Sequence, residues 1–191
     1  MVGVYVEQLN QLLQPWSHQE HGNTLRGWMS PNCGRNGRPV IHFLHGTGLS
    51  NLTDWPFLKP FTDRYDLFLN SIEGHGDSDR GPYRRSRRWN PLAERCFRAY
   101  QHHQADWDDV PVIALGHSLG AILTLLMMHG SARRFDQYVL LDPVFYPKTM
   151  IATLRLLNGV GLARYLSVSR KARNRRHRWP SRNAALENLK G

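Results

Sequence analysis

A strand, a sharp turn and a helix meet in the stretch Ile113-Ala114-Leu115-Gly116-His117-Ser118-Leu119-Gly120-Ala121-Ile122-Leu123, and this junction decides the fold. A short apolar run ends at a glycine, a serine stands between two glycines spaced by four, and an apolar helical pattern follows at once. We therefore predict a buried strand over 112–115, a tight turn at the serine and a helix over 121–128.

The residues of this turn predict a chemical role for Ser118. A serine on a strained turn leaves no room for side chains two residues before or after it. Gly116 and Gly120, which have no side chains, fit these two positions around Ser118. The hydroxyl would project from a strand end beside a helix N-terminus, whose free N–H groups favour developing negative charge. The same pattern also occurs in ordinary loops, so the flanking strand and helix are what support a nucleophile.

Three other apolar runs predict buried strands, and each leads into a loop with residues suited to a site. Residues 39–44 run into His45-Gly46-Thr47-Gly48, residues 65–72 into a glycine-rich turn at 73–79, and residues 138–141 into Asp142-Pro143. A glycine loop after a strand exposes backbone N–H groups, as an oxyanion hole requires. An ordinary turn has the same composition, so the loop alone leaves both interpretations open.

The remaining segments predict two helices and a hairpin strand. Residues 2–13 fit a first strand or a short helix that Pro15 ends, and residues 23–29 fit a strand. A short helix is expected over 55–61, interrupted by Pro60, and a longer one that Asn90-Pro91 caps and opens, through about residue 103. Strands and helices alternate, which predicts an α/β fold with an open, mostly parallel sheet and ligands at the C-terminal strand ends.

Composition limits the class of protein. A chain of 191 residues with 41% hydrophobic residues can bury a core and is most simply one domain. No apolar run approaches the roughly 18 residues of a membrane helix, and we expect no secretory signal at the N-terminus. Cys33 and Cys96 form neither a disulfide framework nor a metal-binding spacing, which favours free thiols in a reducing, cytoplasmic compartment and no metal or cofactor.

The net charge of +10 is concentrated in the tail. Residues 159–191 carry nine lysines and arginines and one glutamate, whereas residues 1–158 carry 16 against 14 acidic residues. With Tyr165 and Trp179 among its arginines, the tail could contact nucleic acid or an anionic membrane. The composition favours a solvated cap helix or a disordered end instead, and the arginine-rich segment 84–88 predicts a solvated loop.

Four motifs together resemble the α/β-hydrolase superfamily. They are His45-Gly46-Thr47-Gly48, Gly74-His75-Gly76-Asp77-Ser78, Gly116-His117-Ser118-Leu119-Gly120 and Leu141-Asp142-Pro143, in that order and each after a strand. The resemblance covers residues 25–147 and implies a three-layer α/β/α serine hydrolase of the esterase or lipase type. Its substrate would be a small molecule with an ester, thioester or amide carbonyl, attacked by the serine to form an acyl-enzyme.

The resemblance also assigns roles to residues. Ser118 matches the nucleophile, and the backbone N–H groups of Thr47 and Leu119 match the two oxyanion donors. Asp142 is a candidate acid after the strand that follows the serine, although an Asp before proline is also a common turn residue. The other residues implied at the site shape its loops or line its mouth: His45, His75 and His117, with Gly46, Gly48, Gly116 and Gly120.

The chain departs from the family pattern at the general base. The order in this superfamily is serine, acid, histidine, and only His129 and His177 follow Ser118. His129 falls at the far end of the helix after the serine, and His177 lies in an arginine-rich stretch without a strand before it. The simplest interpretation is a core over residues 1–147 that lacks its last strands, followed at 148–191 by the start of a helical cap with the basic tail. A catalytically impaired hydrolase and a non-catalytic binding protein of the same fold both remain open.

Overall fold

The computed structural model describes residues 2–81, 89–129 and 135–145, together with Thr149 and Ser181. Six strands form one sheet: β1 (Gln14–Glu20), β2 (Asn23–Met29), β3 (Val40–Leu44), β4 (Asp66–Asn70), β5 (Val112–His117) and β6 (Gln137–Leu141). The helices are α1 (Val2–Leu12), α2 (Asn51–Leu58), α3 (Asn90–Gln104) and α4 (Leu119–Met128), with a 3₁₀ helix over Lys59–Asp63.

The sheet has the order β1-β2-β4-β3-β5-β6. Strands β4, β3, β5 and β6 are parallel, while β1 and β2 form an antiparallel hairpin that pairs with β4. Parallel strands need long crossover connections, and the sequence provides them as helix-containing segments between β3, β4, β5 and β6. The predicted open, mostly parallel sheet is therefore confirmed.

Helices cover both faces of the sheet, which makes the described core three-layered. On one face, α3 and α4 pack through Tyr100 and Leu123 onto strand residues such as Phe68 and Val40. On the other face, α1 and α2 pack through Leu9 and Trp55 onto a second set of strand residues: Ile41, Phe43, Leu67, Leu69 and Leu115. Strands β3 and β4 alternate between these two cores, which explains why their sequences are continuously apolar or nearly so.

Several local predictions require correction. Pro15 does not mark the end of the first segment but lies inside β1, at the edge of the sheet, where a missing N–H is tolerated; of the two alternatives for residues 2–13, the helix is the one present, as α1. Helix α2 begins four residues before the predicted start because Ser50 and Thr53 form a capping box, and Pro60 lies in the following 3₁₀ helix. Asn90 is not the cap of α3: Trp89 holds that position, without a side-chain capping hydrogen bond.

The chain divides into two compact units, residues 1–144 and residues 145–191. The second unit lies almost wholly outside the described residues, as do residues 82–88. The predicted cap over 148–191, the basic tail and the arginine-rich loop therefore stay predictions.

Candidate active site

Ser118 has a backbone conformation that few non-glycine residues adopt. It joins β5 directly to α4 with φ 52° and ψ −111°, a combination that costs about 1–3 kcal/mol when the surrounding structure enforces it. Its N–H donates to the carbonyl of Leu141 on β6 at 2.9 Å, which ties the strained residue to the neighbouring strand. The predicted sharp turn, called here the serine turn (residues 116–120), is therefore present between the predicted strand and helix.

The two glycines of the serine turn are required by close backbone contacts. A Cβ placed on Gly116 would lie 2.5 Å from the carbonyl oxygen of Gly120 and 2.6 Å from the Ala121 backbone. A Cβ on Gly120 would lie 2.0 Å from the carbonyl oxygen of Leu44, at the end of β3. Since backbone atoms cannot move aside as a flexible side chain can, both positions accept only glycine. The predicted need for clearance has this steric basis.

The glycine loop (residues 45–48) is anchored by a buried histidine. The Nε2 atom of His45 accepts a hydrogen bond from the Ile72 N–H at 3.1 Å, so the proton of the neutral ring is on Nδ1, which donates to the Gly46 carbonyl at 2.9 Å. The pKa of His45 is lowered to about 4, chiefly by burial and in small part by the nearby His75 and His117, while the hydrogen bond to the Gly46 carbonyl opposes the shift. His45 is therefore neutral near pH 7 and fixes the loop between the ends of β3 and β4.

The glycine loop and the serine turn lie against each other. A Cβ on Gly46 would lie 3.3 Å from the Ser118 Cβ, so the loop passes directly beside the serine. The Thr47 N–H donates to no acceptor in the described part of the chain, and Thr47 is exposed. Leu119 is the first residue of α4, whose leading N–H groups have no intrahelical acceptor. Thr47 and Leu119, which directly follow Gly46 and Ser118, therefore each have a backbone N–H with no acceptor in the described part of the chain.

The glycine-rich turn after β4 brings His75 to the same region. The rings of His45 and His75 lie 5.3 Å apart between centroids, and His75 Nδ1 is 3.1 Å from the Glu73 carbonyl oxygen. Ser78 holds the turn in place, since its hydroxyl donates to the Ser71 carbonyl at 2.8 Å and accepts from the Arg26 N–H on β2 at 2.9 Å. The structure therefore brings together three of the segments that the sequence placed at the site.

One contact at the site involves a residue that sequence reasoning missed. His117, the last residue of β5, places its Nδ1 3.5 Å from Oδ1 of Asp54 on the first turn of α2. The Asp54 side chain is 14% exposed, and burial raises its pKa while His117 opposes that shift. Helix α2 was predicted to begin after Asp54, so only the Ser50–Thr53 capping pattern could have indicated that this carboxylate sits at a helix start.

Asp142 lies at the strand end beside the serine turn. His117 and Leu141 are register partners on β5 and β6, so Ser118 and Asp142 leave neighbouring strands at equivalent points, roughly 5 Å apart along the sheet. Asp142 has a left-handed backbone, φ 48°, and its side chain is exposed. It forms no hydrogen bond or ion pair with any residue in the described ranges, and its role as an acid stays a prediction.

No described histidine forms a hydrogen bond with the Ser118 hydroxyl. His129 is the C-terminal cap of α4, eleven positions beyond Ser118, which corresponds to about 16 Å. His45 uses both ring nitrogens in the glycine loop, and His117 faces Asp54. His177 lies outside the described residues.

A three-layer, mostly parallel sheet with a strained serine between a strand end and a helix start defines the α/β-hydrolase fold. The family profile described as serine aminopeptidase, S33, matches residues 36–188, and the chain belongs to this family. The predicted superfamily is therefore confirmed. No curated protein sequence matches the chain significantly.

Solved structures of several hydrolases share the fold at low sequence identity. A thioesterase domain from the curacin biosynthetic pathway has a TM-score of 0.65 and 19% identity, and the match covers 93% of this chain and 61% of that one. A thermostable carboxyl esterase from Bacillus coagulans has a TM-score of 0.63 and 16% identity, and the match covers 78% of this chain and 50% of that one. An epoxide hydrolase from Vigna radiata has a TM-score of 0.64 and 15% identity, and the match covers 84% of this chain and 47% of that one. The chain thus spans between about half and three fifths of these proteins.

The described helices include none that is long and apolar enough to cross a membrane. The described residues also contain no group of three or more His, Cys, Asp or Glu side chains placed to hold a metal ion. The cytoplasmic location expected from the sequence stays a prediction.

Proposed function

We propose that Ser118 is the nucleophile of an acyl hydrolase that acts on a carboxylic ester, a thioester or an amide. One observation carries the proposal: the serine is held at φ 52° on a turn whose neighbouring glycines cannot bear a side chain. Strained non-glycine residues persist where the surrounding structure over-determines them, and they cluster at functional sites. The carboxyl esterase and the thioesterase domain of the same fold are named for two of these three substrate classes.

The proposed reaction begins with attack of the Ser118 Oγ on the substrate carbonyl carbon. The hydroxyl proton passes to a water molecule, a bond forms between Oγ and the carbonyl carbon as the C=O π bond breaks, and the carbonyl oxygen becomes an oxyanion. The backbone N–H groups of Thr47 and Leu119 donate to this oxyanion, because they flank the serine and have no acceptor in the described structure. The alcohol, thiol or amine then departs with a proton, and water later hydrolyses the acyl-enzyme.

We further propose that acylation in this chain is slow. A triad serine depends on a histidine to take its proton, and no described histidine is hydrogen-bonded to Ser118. The Ser118 N–H donates to the Leu141 carbonyl, and Asp142 directly follows Leu141, so Asp142 lies near the serine turn. For Asp142 to act as the acid of a triad, an imidazole would have to lie between it and the serine. His177, which also follows Ser118 in this sequence, lies outside the described residues.

The lack of a base beside Ser118 among the described residues also favours a second candidate, a non-catalytic protein that binds acyl compounds with the same fold. This candidate retains the glycine loop and the serine turn but does not form an acyl-enzyme. Release of product from short and medium acyl esters by the purified chain would exclude it, provided that Ser118→Ala abolishes the release. The assay should use esters of several acyl chain lengths, because the described residues do not define which acyl length the site accepts.

Covalent labelling with a fluorophosphonate tests the nucleophile directly. The Ser118 oxygen displaces fluoride from phosphorus, so the product carries one phosphonyl group that peptide mass spectrometry can locate. We expect labelling of the natural chain at Ser118, none of Ser118→Ala, and full labelling of the matched control Ser17→Ala on the edge strand β1. A natural chain that stays unlabelled while folded would refute the nucleophile.

A further inference from the structure

The contact between Asp54 and His117 joins the two halves of the site. Asp54 lies on the first turn of α2, which begins three residues after the glycine loop ends. His117 is the last residue of β5 and directly precedes Ser118. Their 3.5 Å contact therefore connects the element that follows the loop to the residue beside the serine. Among the described residues, this contact is the one side-chain ion pair or hydrogen bond between α2 and β5.

The other anchors of this segment lead to a different strand. His45, at the start of the glycine loop, is held by the Ile72 N–H beyond the end of β4. Asn51, at the start of α2, donates from its Nδ2 to the Ser71 Oγ at 3.0 Å, also beyond β4. Both anchors fix the segment relative to β4, whereas the serine belongs to β5. The Asp54–His117 contact supplies the connection to β5.

The pair is sheltered from water, so its contact has consequences. The side chains of Asp54 and His117 are 14% and 31% exposed, and the Asp54 Oδ2 has no hydrogen-bond partner in the described part of the chain. A half-satisfied buried carboxylate depends on its one partner much more than an exposed carboxylate does. Removing either side chain should therefore release α2, and the loop before it, from the serine turn.

Gly46 shows where a displacement would act. A Cβ built on Gly46 would lie 3.3 Å from the Ser118 Cβ, 3.5 Å from the His117 Nδ1 and 3.1 Å from the Leu49 Cδ1. The loop backbone, the serine and the His117 ring thus surround a single point. A shift of the ring changes the distance between the loop and the serine, and N–H donors stabilise an oxyanion only within about 2.7–3.1 Å.

We propose that Asp54 and His117 are a positioning pair that holds the glycine loop at the correct distance from Ser118, so that the Thr47 and Leu119 N–H groups share one oxyanion. This proposal rests on the acyl-hydrolase function proposed above. Neither residue contacts the reacting atoms. Their effect is on the step that develops negative charge, and not on the reactivity of the side chain at position 118 as such.

Two reactions at position 118 separate these effects. Phosphonylation of Ser118 by a fluorophosphonate forms an O–P bond, expels fluoride and develops charge on the phosphoryl oxygen. Alkylation of a Ser118→Cys variant by iodoacetamide forms an S–C bond, expels iodide and needs no oxyanion donor. The natural thiols give little background: Cys33 and Cys96 are buried, and burial raises the pKa of both, that of Cys96 to about 12.

We expect Asp54→Asn and His117→Leu each to slow phosphonylation about tenfold, which corresponds to about 1.4 kcal/mol. The same substitutions in the Ser118→Cys background should change the alkylation rate less than about twofold. His117→Asn retains a side-chain nitrogen near the position of Nδ1 and should keep most of the phosphonylation rate. The matched control Asp63→Asn, an exposed carboxylate on the 3₁₀ helix, should leave both rates unchanged.

Three results would overturn the positioning pair. Equal phosphonylation rates in the natural chain and Asp54→Asn would show that the contact has no effect on the oxyanion donors. A parallel loss of phosphonylation and alkylation would assign the pair a merely structural role. A natural chain that is never phosphonylated, although the Ser118→Cys variant is alkylated, would refute the acyl-hydrolase function itself and this proposal with it.

Discussion

The two strands that flank β5 differ in how completely they are buried. All five residues of β3 are buried, and the strand pairs with β4 on one side and β5 on the other. In β6 every residue is partly or largely exposed, and its described pairing is to β5 alone. The glycine loop directly follows β3, and Asp142 directly follows β6. The proposed oxyanion donor Thr47 thus follows a fully buried strand, and the candidate acid Asp142 follows a partly exposed one.

This difference separates two parts of the proposed reaction, stabilisation of the oxyanion and activation of the nucleophile. The loop after β3 has its conformation set by His45, by the Ile72 N–H and by the Gly120 backbone. For the loop after β6, the described residues 142–145 form no such hydrogen bond, and the nearest one joins the Ser118 N–H to the Leu141 carbonyl at the end of the strand. In the proposed reaction, stabilisation of the oxyanion therefore relies on a loop that the described residues anchor, whereas activation of the proposed nucleophile needs a base that the described residues do not bring to it.

The largest expected effect is on the β3 side. In Gly120→Ala the new methyl carbon would lie 2.0 Å from the Leu44 carbonyl oxygen, so β3 and α4 must separate. We expect a loss of more than about 3 kcal/mol in the free energy of unfolding, or failure to fold, as seen by urea denaturation. Gly37→Ala is the control: it has φ 64° but open space around it, and should cost about 1–2 kcal/mol. Equal losses in the two variants would contradict the close contact.

The second effect concerns pH and the buried imidazole of β3. His42 is fully buried between Phe68 and Phe135, its ring nitrogens have no partner in the described ranges, and burial lowers its pKa to about 3. The unfolded chain, with a pKa near 6.5, binds the proton first, so stability falls as pH decreases below 6.5. We expect this group to remove about 1.4 kcal/mol per pH unit between pH 6 and pH 4.

Denaturation curves at several pH values check this slope. His42→Leu should show a shallower loss of stability on acidification, whereas His21→Leu, at an exposed turn between β1 and β2, should follow the natural chain. His45 and His103, whose pKa values burial lowers to about 4, add to the slope in the same direction and remain in both variants. An unchanged slope in His42→Leu would mean that this ring is hydrated or protonated in the folded state.

A matched pair of valines compares the strands directly. Val40 on β3 is 0% exposed and Val139 on β6 is 40% exposed. We expect Val40→Ala to lower the free energy of unfolding by about 2 kcal/mol, because two buried methyl groups and their contacts are lost, and Val139→Ala by about 0.5 kcal/mol. Chemical denaturation measures both. Similar losses would mean that β6 is covered to the same extent as β3.

The smallest expected effect is at Asp142. Its side chain is exposed and has no hydrogen bond or ion pair in the described part of the chain, so Asp142→Asn should change the fluorophosphonate labelling rate less than about twofold. The labelling assay for Ser118 measures it, with Asp63→Asn as the matched exposed carboxylate. A loss of a hundredfold or more would instead identify Asp142 as the acid of a working triad.

Much of this architecture is predictable because it has local causes. The continuous apolar runs of β3, β4, β5 and β6 indicate buried strands, and the glycine spacing around Ser118 indicates the turn. The start of α2 lies four residues before the predicted position at Trp55, and the capping box of Ser50 and Thr53 is the local signal for it. The Asp54–His117 contact joins residues 63 positions apart along the chain, and no local pattern signals such a pairing.

The pairing of β3 also has a consequence for the order of folding. Val40 pairs with Asp66 on one side and with Val112 on the other. The pairing of β3 is therefore complete only after segments roughly 26 and 72 residues further along the chain have been synthesised. Non-local pairings of this kind slow folding, whereas the β1–β2 hairpin can form locally. During synthesis from the N-terminus, the apolar residues of β3 leave the ribosome before their second partner, β5, exists. The serine turn is therefore among the last parts of the described sheet to assemble, and nascent chains that have passed residue 70 but not residue 117 are the ones in which a chaperone would find β3 unpaired.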